Sequence, residues 1–72
     1  MADGILTRMA LLGFDDAYLA GTIKRSRQHV QSVRNGVYAE HLSAEQSAAI
    51  LSVAKGYLKM VTDIVSEIEL LS

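Results

Sequence analysis

The apolar repeat in the carboxyl-terminal part of the chain restricts its fold more than any other feature. Apolar side chains recur there at alternating spacings of four and three residues: Ile50, Ala54, Tyr57, Val61, Ile64, Ile68 and Leu71. This spacing keeps the side chains on one face of an α-helix and is typical of helices that pair with one another. The residues Leu51, Leu58 and Val65 widen the same face. The pattern therefore predicts a long helix with a seam for a partner.

The start of this helix is marked by Ser43-Ala44-Glu45-Gln46, which has the form of a capping box. A helix from 44 to 71 would be about 40 Å long at 1.5 Å per residue. The remaining residues cannot cover that length, so either Gly56 breaks it into two helices or its far half packs on a second chain. In both cases we expect a homodimer whose interface contains Tyr57, Val61, Ile64, Val65, Ile68 and Leu71.

The preceding residues also carry helical signals, since there is no proline and no strand-like alternation. A first helix would place Ile5, Met9 and Leu12 on one face and end at Gly13. Asp15 or Asp16 would cap a second helix, with Leu19, Ala20 and Ile23 facing inward.

A tight turn is expected at Lys24-Arg25-Ser26, and Ser26 would cap a third helix over residues 27–35. Its buried side would be Val30 and Val33, and Asn35-Gly36 would end it before a loop over residues 37–42. The chain is thus predicted to be all-α, with four to five helices, as one domain over residues 1–72.

The small size of the chain supports pairing. A domain of 72 residues buries a modest fraction of its surface and is marginally stable alone. The sequence has no cysteine to form a disulfide, yet half of its residues are hydrophobic. We therefore expect a second copy to cover apolar surface, and a cytoplasmic protein without a targeting or membrane-spanning segment.

Charge is unevenly distributed along the chain, whose net charge is −1. Residues 1–39 carry five basic and three acidic residues, whereas residues 40–72 carry two basic and five acidic residues. Four of the seven basic residues fall between 24 and 34, where there is no acidic residue. A basic patch of this kind is either a nucleic-acid contact or a solvated helix face.

The stretch from Asp16 to Gly36 resembles the helix-turn-helix of the phage Cro and repressor family, and the resemblance extends to about residue 51. Ala20 is small where two helices would cross, Ser26 begins the recognition helix, and Val30 lies at its centre. The resemblance implies a helix-turn-helix core over residues 1–42, followed by the long helix over 43–72. Lys24 stands where the family usually has glycine, so a left-handed lysine is expected.

The family resemblance implies sequence-specific binding of double-stranded DNA, with the third helix in the major groove. The implied contacts are Lys24, Arg25, Arg27, Gln28, His29, Gln31, Ser32 and Arg34. Arginine can bridge two acceptors on guanine and glutamine can pair with adenine. Lys24, Arg25 and Arg34 are better placed for phosphates. Asp16, at the start of the second helix, would instead repel the DNA backbone.

Other chemistries have weak support in the sequence. His29 and His41 have no ligand-like spacing, and no phosphate loop or nucleophile–base pattern is recognisable. We therefore expect no metal, no cofactor and no enzymatic activity. The acidic residues on the long helix also favour a protein partner over a membrane surface.

Two functions remain open. The first is a homodimeric DNA-binding transcriptional regulator of phage or prophage type. The second is a small phage-type antagonist that binds and inhibits a host regulatory protein such as a transcription factor. The acidic carboxyl-terminal half, Asp16 and the surplus of apolar residues favour the second.

Overall fold

Four helices account for the fold in the computed structural model, which describes residues 4–72. They are α1 (Ile5–Leu11), α2 (Asp16–Ile23), α3 (Arg27–Arg34) and α4 (Ala44–Leu71). The chain is all-α, as the sequence predicts. The first three residues of the predicted 1–72 domain lie outside the described residues.

The helices begin at side-chain caps that the sequence largely predicts. The Asp15 carboxylate accepts a hydrogen bond from the backbone N–H of Tyr18, so Asp15 rather than Asp16 caps α2. Ser26 caps α3 in the same way. At α4, Ser43 and Gln46 form the complete capping box, and the Gln46 amide also donates to the carbonyl of Ile23 at 2.9 Å. That last bond ties the start of α4 to the end of α2.

The turn between α2 and α3 has the expected left-handed lysine. Lys24 has φ 57° and ψ 45°. The backbone N–H of Arg25 bonds to the Ala20 carbonyl at 2.9 Å, as at other helix ends that close on a left-handed residue. This conformation costs a non-glycine residue about 1 kcal/mol. In return it reverses the chain sharply enough for α3 to pack on α2.

The core lies where α1, α2 and α3 meet the first half of α4. Its buried side chains are Leu6, Met9, Leu19, Ala20, Ile23, Val30 and Ile50. Phe14, Val33, Leu42, Val53 and Ala54 are half-buried against them. The inward faces predicted for α2 and α3 are therefore correct.

The face predicted for α1 is correct for Met9 and wrong for Ile5 and Leu12. Leu6 and Met9 are buried, whereas Ile5 and Leu12 are respectively 42% and 46% exposed. Because apolar residues surround most of this short helix, its pattern does not indicate which side faces the core. The structure uses the side containing Leu6, and Ile5 and Leu12 remain on the surface.

The long helix is unbroken at Gly56. It spans 28 residues, about 42 Å at 1.5 Å per residue, which accounts for most of the 46 Å length of the molecule. Only its first half packs on the core. Beyond Tyr57 the apolar side chains are exposed or, at Val61, half-buried.

Candidate nucleic-acid interface

The outward surface of α3 is formed by polar side chains. With about 100° between successive residues, Gln28 and Gln31 face away from the side that Val30 and Val33 occupy, and Arg27 lies at the edge between the two sides. Those three polar side chains are exposed. Ser32 is half-buried at the edge of the same surface. The sequence-predicted contacts at the centre of α3 therefore lie together.

His29 lies on one flank of this surface and contacts the loop that follows α3. Its ring stacks on the Tyr38 ring with a centroid distance of 5.9 Å and an interplanar angle of 22°. Gly36, with φ 80°, closes the helix end and allows Val37 to donate to the Ser32 carbonyl at 2.9 Å. Tyr38 extends the surface beyond α3. In the sequence, the aromatic residue just after the Asn-Gly helix ending is the feature that could have predicted this contribution of Tyr38.

Arg34 lies on the opposite flank and is paired with Asp16 at the start of α2. The guanidinium Nη1 of Arg34 donates to Oδ1 of Asp16, whose side chain is 17% exposed. The ion pair links the first turn of α2 to the last turn of α3. Arg34 is therefore held toward α2, and the Asp16 charge is compensated within the chain.

Two other acidic residues near α3 also have partners within the chain. Asp15 caps α2, and Glu45 lies 3.6 Å from the Lys24 ammonium in a fully solvated pair. Within residues 4–72, no carboxylate lies within ion-pairing distance of Arg25 or Arg27. These two guanidinium groups give the surface its available positive charge.

Glu40 was missed by sequence reasoning, which placed it in a connecting loop. Its carboxylate accepts hydrogen bonds from the backbone N–H groups of Ile5 at 2.8 Å and Leu6 at 3.1 Å. It thus caps α1 from a position 35 residues further along the chain. A Cβ on Gly4 would lie 2.5 Å from Glu40 Oε2, so a larger residue before α1 would require the flexible end of Glu40 to shift. No pattern in the sequence around α1 predicts a cap supplied from so far along the chain.

The residues predicted for a dimer interface lie on one face of α4. Tyr57 is half-buried because its ring meets Phe14 edge-on at 5.8 Å. Val61 is also half-buried. The other four, Ile64, Val65, Ile68 and Leu71, are exposed by 46% to 87%. The chain thus leaves this face open.

Comparison with protein-family models, with curated proteins and with solved structures found no match to this chain. Among the described helices, none has the length and apolar character needed to cross a membrane. The arguments for function therefore rest on the geometry of α3 and α4.

Proposed function

We propose that this chain is a homodimeric, sequence-specific DNA-binding transcriptional regulator without enzymatic activity. The observation that carries the proposal is the polar surface of α3, where Arg27, Gln28 and Gln31 are exposed together and the acidic groups nearby are engaged elsewhere. A regulator of phage or prophage type is consistent with the small size of the chain.

The side chains of α3 divide into two roles in this proposal. Arg27, Gln28 and Gln31 meet base edges in the major groove, where arginine recognises guanine and glutamine recognises adenine. Lys24 and Arg25, in the turn before α3, contact phosphates and set affinity without reading sequence. His29 and Ser32 support the flank next to Tyr38.

Arg34 has a smaller role than the family resemblance implies. Its guanidinium is paired with Asp16. A phosphate would have to compete with this carboxylate for the guanidinium. We therefore assign Arg34 to positioning of α3 first and to phosphate contact second.

A protein antagonist that inhibits a host regulatory protein is the second candidate function. It is favoured by the two acidic residues at the start of α2, since Asp15 is exposed and Asp16 lies beside it. In helix-turn-helix proteins the first helix of the motif crosses the DNA backbone, so carboxylates there weaken a DNA complex. The same carboxylates suit a basic protein surface.

A binding titration against random-sequence duplex DNA at two salt concentrations separates the two functions. A DNA-binding protein with several phosphate contacts binds measurably at low salt and loses affinity steeply as salt rises. A folded protein that binds no duplex at low salt contradicts the proposal and favours the antagonist.

Two substitutions test the division of roles once a preferred site has been selected from random duplexes. Gln28→Ala should cost about 1–3 kcal/mol on the preferred site and much less on random DNA. Arg25→Ala should weaken binding to both alike and reduce the salt slope by about one. Equal losses of specificity in the two variants would contradict the assigned roles.

Asp16→Asn tests the acidic start of α2. The variant removes the negative charge but keeps an amide oxygen that can accept the hydrogen bond from Arg34, so α3 stays in place and DNA binding should tighten. Asp15, which caps α2, is unchanged. Under the antagonist alternative the variant stays unable to bind duplex DNA.

A further inference from the structure

We propose that two copies of this chain pair through α4 in antiparallel orientation, and that the last turn of each α4 covers the groove that Phe14, Tyr18 and Val53 line on its partner. The inference rests on the homodimer of the proposed function but does not depend on DNA binding. In this proposal the exposed apolar face of α4 binds a second copy of the chain.

The first argument is the amount of surface left open. The chain exposes 5460 Å², whereas a compact monomer of 7.8 kDa exposes about 4,400 Å². Its radius of gyration is 14.3 Å, against about 11 Å for a compact domain of this length. The excess of about 1,000 Å² is comparable to the roughly 800 Å² that each partner buries in a stable complex.

The second argument is where this surface lies. On a helical projection centred on Val61, the exposed residues Ile64, Val65 and Ile68 fall within about 60° of the centre. Tyr57, next to the core, continues the same stripe. A stripe this narrow fits one straight helix alongside it, as in helix pairs.

The third argument is charge, which fixes the orientation. The only basic residues of α4 are Lys55 and Lys59, whereas its last turns carry Asp63, Glu67 and Glu69. A parallel pair would place the acidic last turns of both chains together with the negative ends of two helix dipoles. An antiparallel pair separates these ends and brings Glu69 of each chain toward Lys55 of the other, whereas Lys59 and Asp63 lie on the side of α4 away from the stripe.

The apolar seam and the charges define the same register. If the two-fold axis passes between residues 62 and 63, Val61 meets the partner's Ile64, and Tyr57 meets the partner's Ile68. In this register Lys55 lies within one residue of the level of the partner's Glu69. Lys55 and Glu69 lie on the same flank of the stripe, and like flanks meet in an antiparallel pair. The apolar seam and this charge pair therefore agree on the alignment to within one residue.

This register also gives the last turn a place to bind. Leu71 of the partner would lie level with Ala54. Leu71 is on the flank of α4 that carries Val53, and like flanks meet, so it would enter the open groove lined by Phe14, Tyr18, Val53, Tyr57 and Met60. Tyr18 and Met60 are exposed, and they thereby become part of the interface.

The alignment has a consequence for the proposed function. Ile50, the core residue of α4, is about 12 residues from the axis, so the two cores would be separated by about 38 Å along the helices at 1.5 Å per residue. One turn of B-DNA is about 34–36 Å. Two recognition surfaces at that separation suit adjacent half-sites on one side of a duplex.

Disulfide trapping of the full-length protein tests the orientation, since the sequence contains no cysteine. Lys55→Cys and Glu69→Cys are placed on separate chains, distinguishable by mass, which are mixed and mildly oxidised. We expect the mixed disulfide to dominate. A mixed disulfide that does not exceed the self-disulfides would overturn the antiparallel orientation, and a monomeric wild type would overturn the pairing itself. A monomeric wild type would also contradict the homodimer of the proposed function, whereas the absence of the mixed disulfide in a dimer would overturn the orientation alone and leave the DNA titration unaffected.

Substitution of two neighbouring leucines tests whether the last turn of α4 packs on the partner chain. Leu70 and Leu71 are 86% and 87% exposed in the single chain, so the monomer gives no reason for them to differ. On the projection Leu71 faces the stripe and Leu70 faces away. Leu71→Glu should raise the dimer dissociation constant at least tenfold, and Leu70→Glu should leave it within about twofold, as measured by sedimentation. Equal effects would overturn the seating of the last turn.

Discussion

Val30 and Arg27 lie three residues apart on α3 and illustrate how differently side chains of one helix contribute. Val30 is fully buried among core residues, whereas Arg27 is exposed. Val30→Asp places an unpaired carboxylate in the core at a cost of several kcal/mol, comparable to the whole stability of a domain of this size. We expect it to unfold the protein.

Arg27→Ala is the matched control for Val30→Asp, because exposed substitutions change stability by about 0.5 kcal/mol or less. Thermal melting followed by circular dichroism compares the two variants with the wild type. A Val30→Asp variant that melts like the wild type would show that the register of α3 is wrong.

Glu40 contributes to stability through α1. Its carboxylate satisfies two backbone N–H groups at the start of that helix, where the helix dipole also favours a negative charge. Glu40→Ala should lower the free energy of unfolding by about 1–3 kcal/mol, as for other hydrogen bonds to charged groups. Chemical denaturation measures the loss.

Glu45→Ala serves as the control for Glu40→Ala, since it removes the same charge from an exposed residue whose only ion pair is solvated. Its loss should stay below about 1 kcal/mol. Similar losses in Glu40→Ala and Glu45→Ala would contradict the capping role.

At the scale of elements, local chemistry made the helices predictable and tertiary packing made their orientation hard to predict. The caps at Ser26 and Ser43 depend on residues within one turn, so the sequence displays them directly. The buried side of α1 and the cap from Glu40 depend on contacts between distant parts of the chain. The Arg34–Asp16 pair, which holds α3 to α2, is of the same kind.

Substitution of Gly56 tests whether α4 is continuous, a question that the sequence leaves open. It lies inside the continuous α4, is exposed, and a Cβ there would meet nothing within 4 Å. Gly56→Ala should therefore raise the free energy of unfolding by about 1 kcal/mol through helix propensity alone.

Gly13→Ala is the contrasting substitution. Gly13 also has open space around it but adopts φ 109°, where an L-residue is strained. It should destabilise the protein, and both variants can be compared by thermal melting. A Gly56→Ala variant that is less stable than the wild type would indicate a bend or break in α4 in solution.

At the scale of the whole molecule, the chain divides into a packed half and an open half. The core is completed by Ile50 and its neighbours, so the distal half of α4 contributes little to it. A helix that projects from its own body into water is marginal without tertiary contacts. In the proposed dimer this apolar face contacts the second copy, and the polar face of α3 remains available for DNA.

Ile64→Glu tests that division directly. Ile64 is 50% exposed and lies outside the core, so the substitution leaves the packed half intact. In the proposed dimer it buries an unpaired carboxylate near the two-fold axis, on both chains, at a cost of several kcal/mol. Light scattering at micromolar concentration should give about twice 7.8 kDa for the wild type and the single-chain mass for Ile64→Glu.

Ser66→Glu adds the same charge to the opposite side of α4 and should remain a dimer. If Ile64→Glu and Ser66→Glu have the same mass, the apolar face of α4 is not the contact between copies.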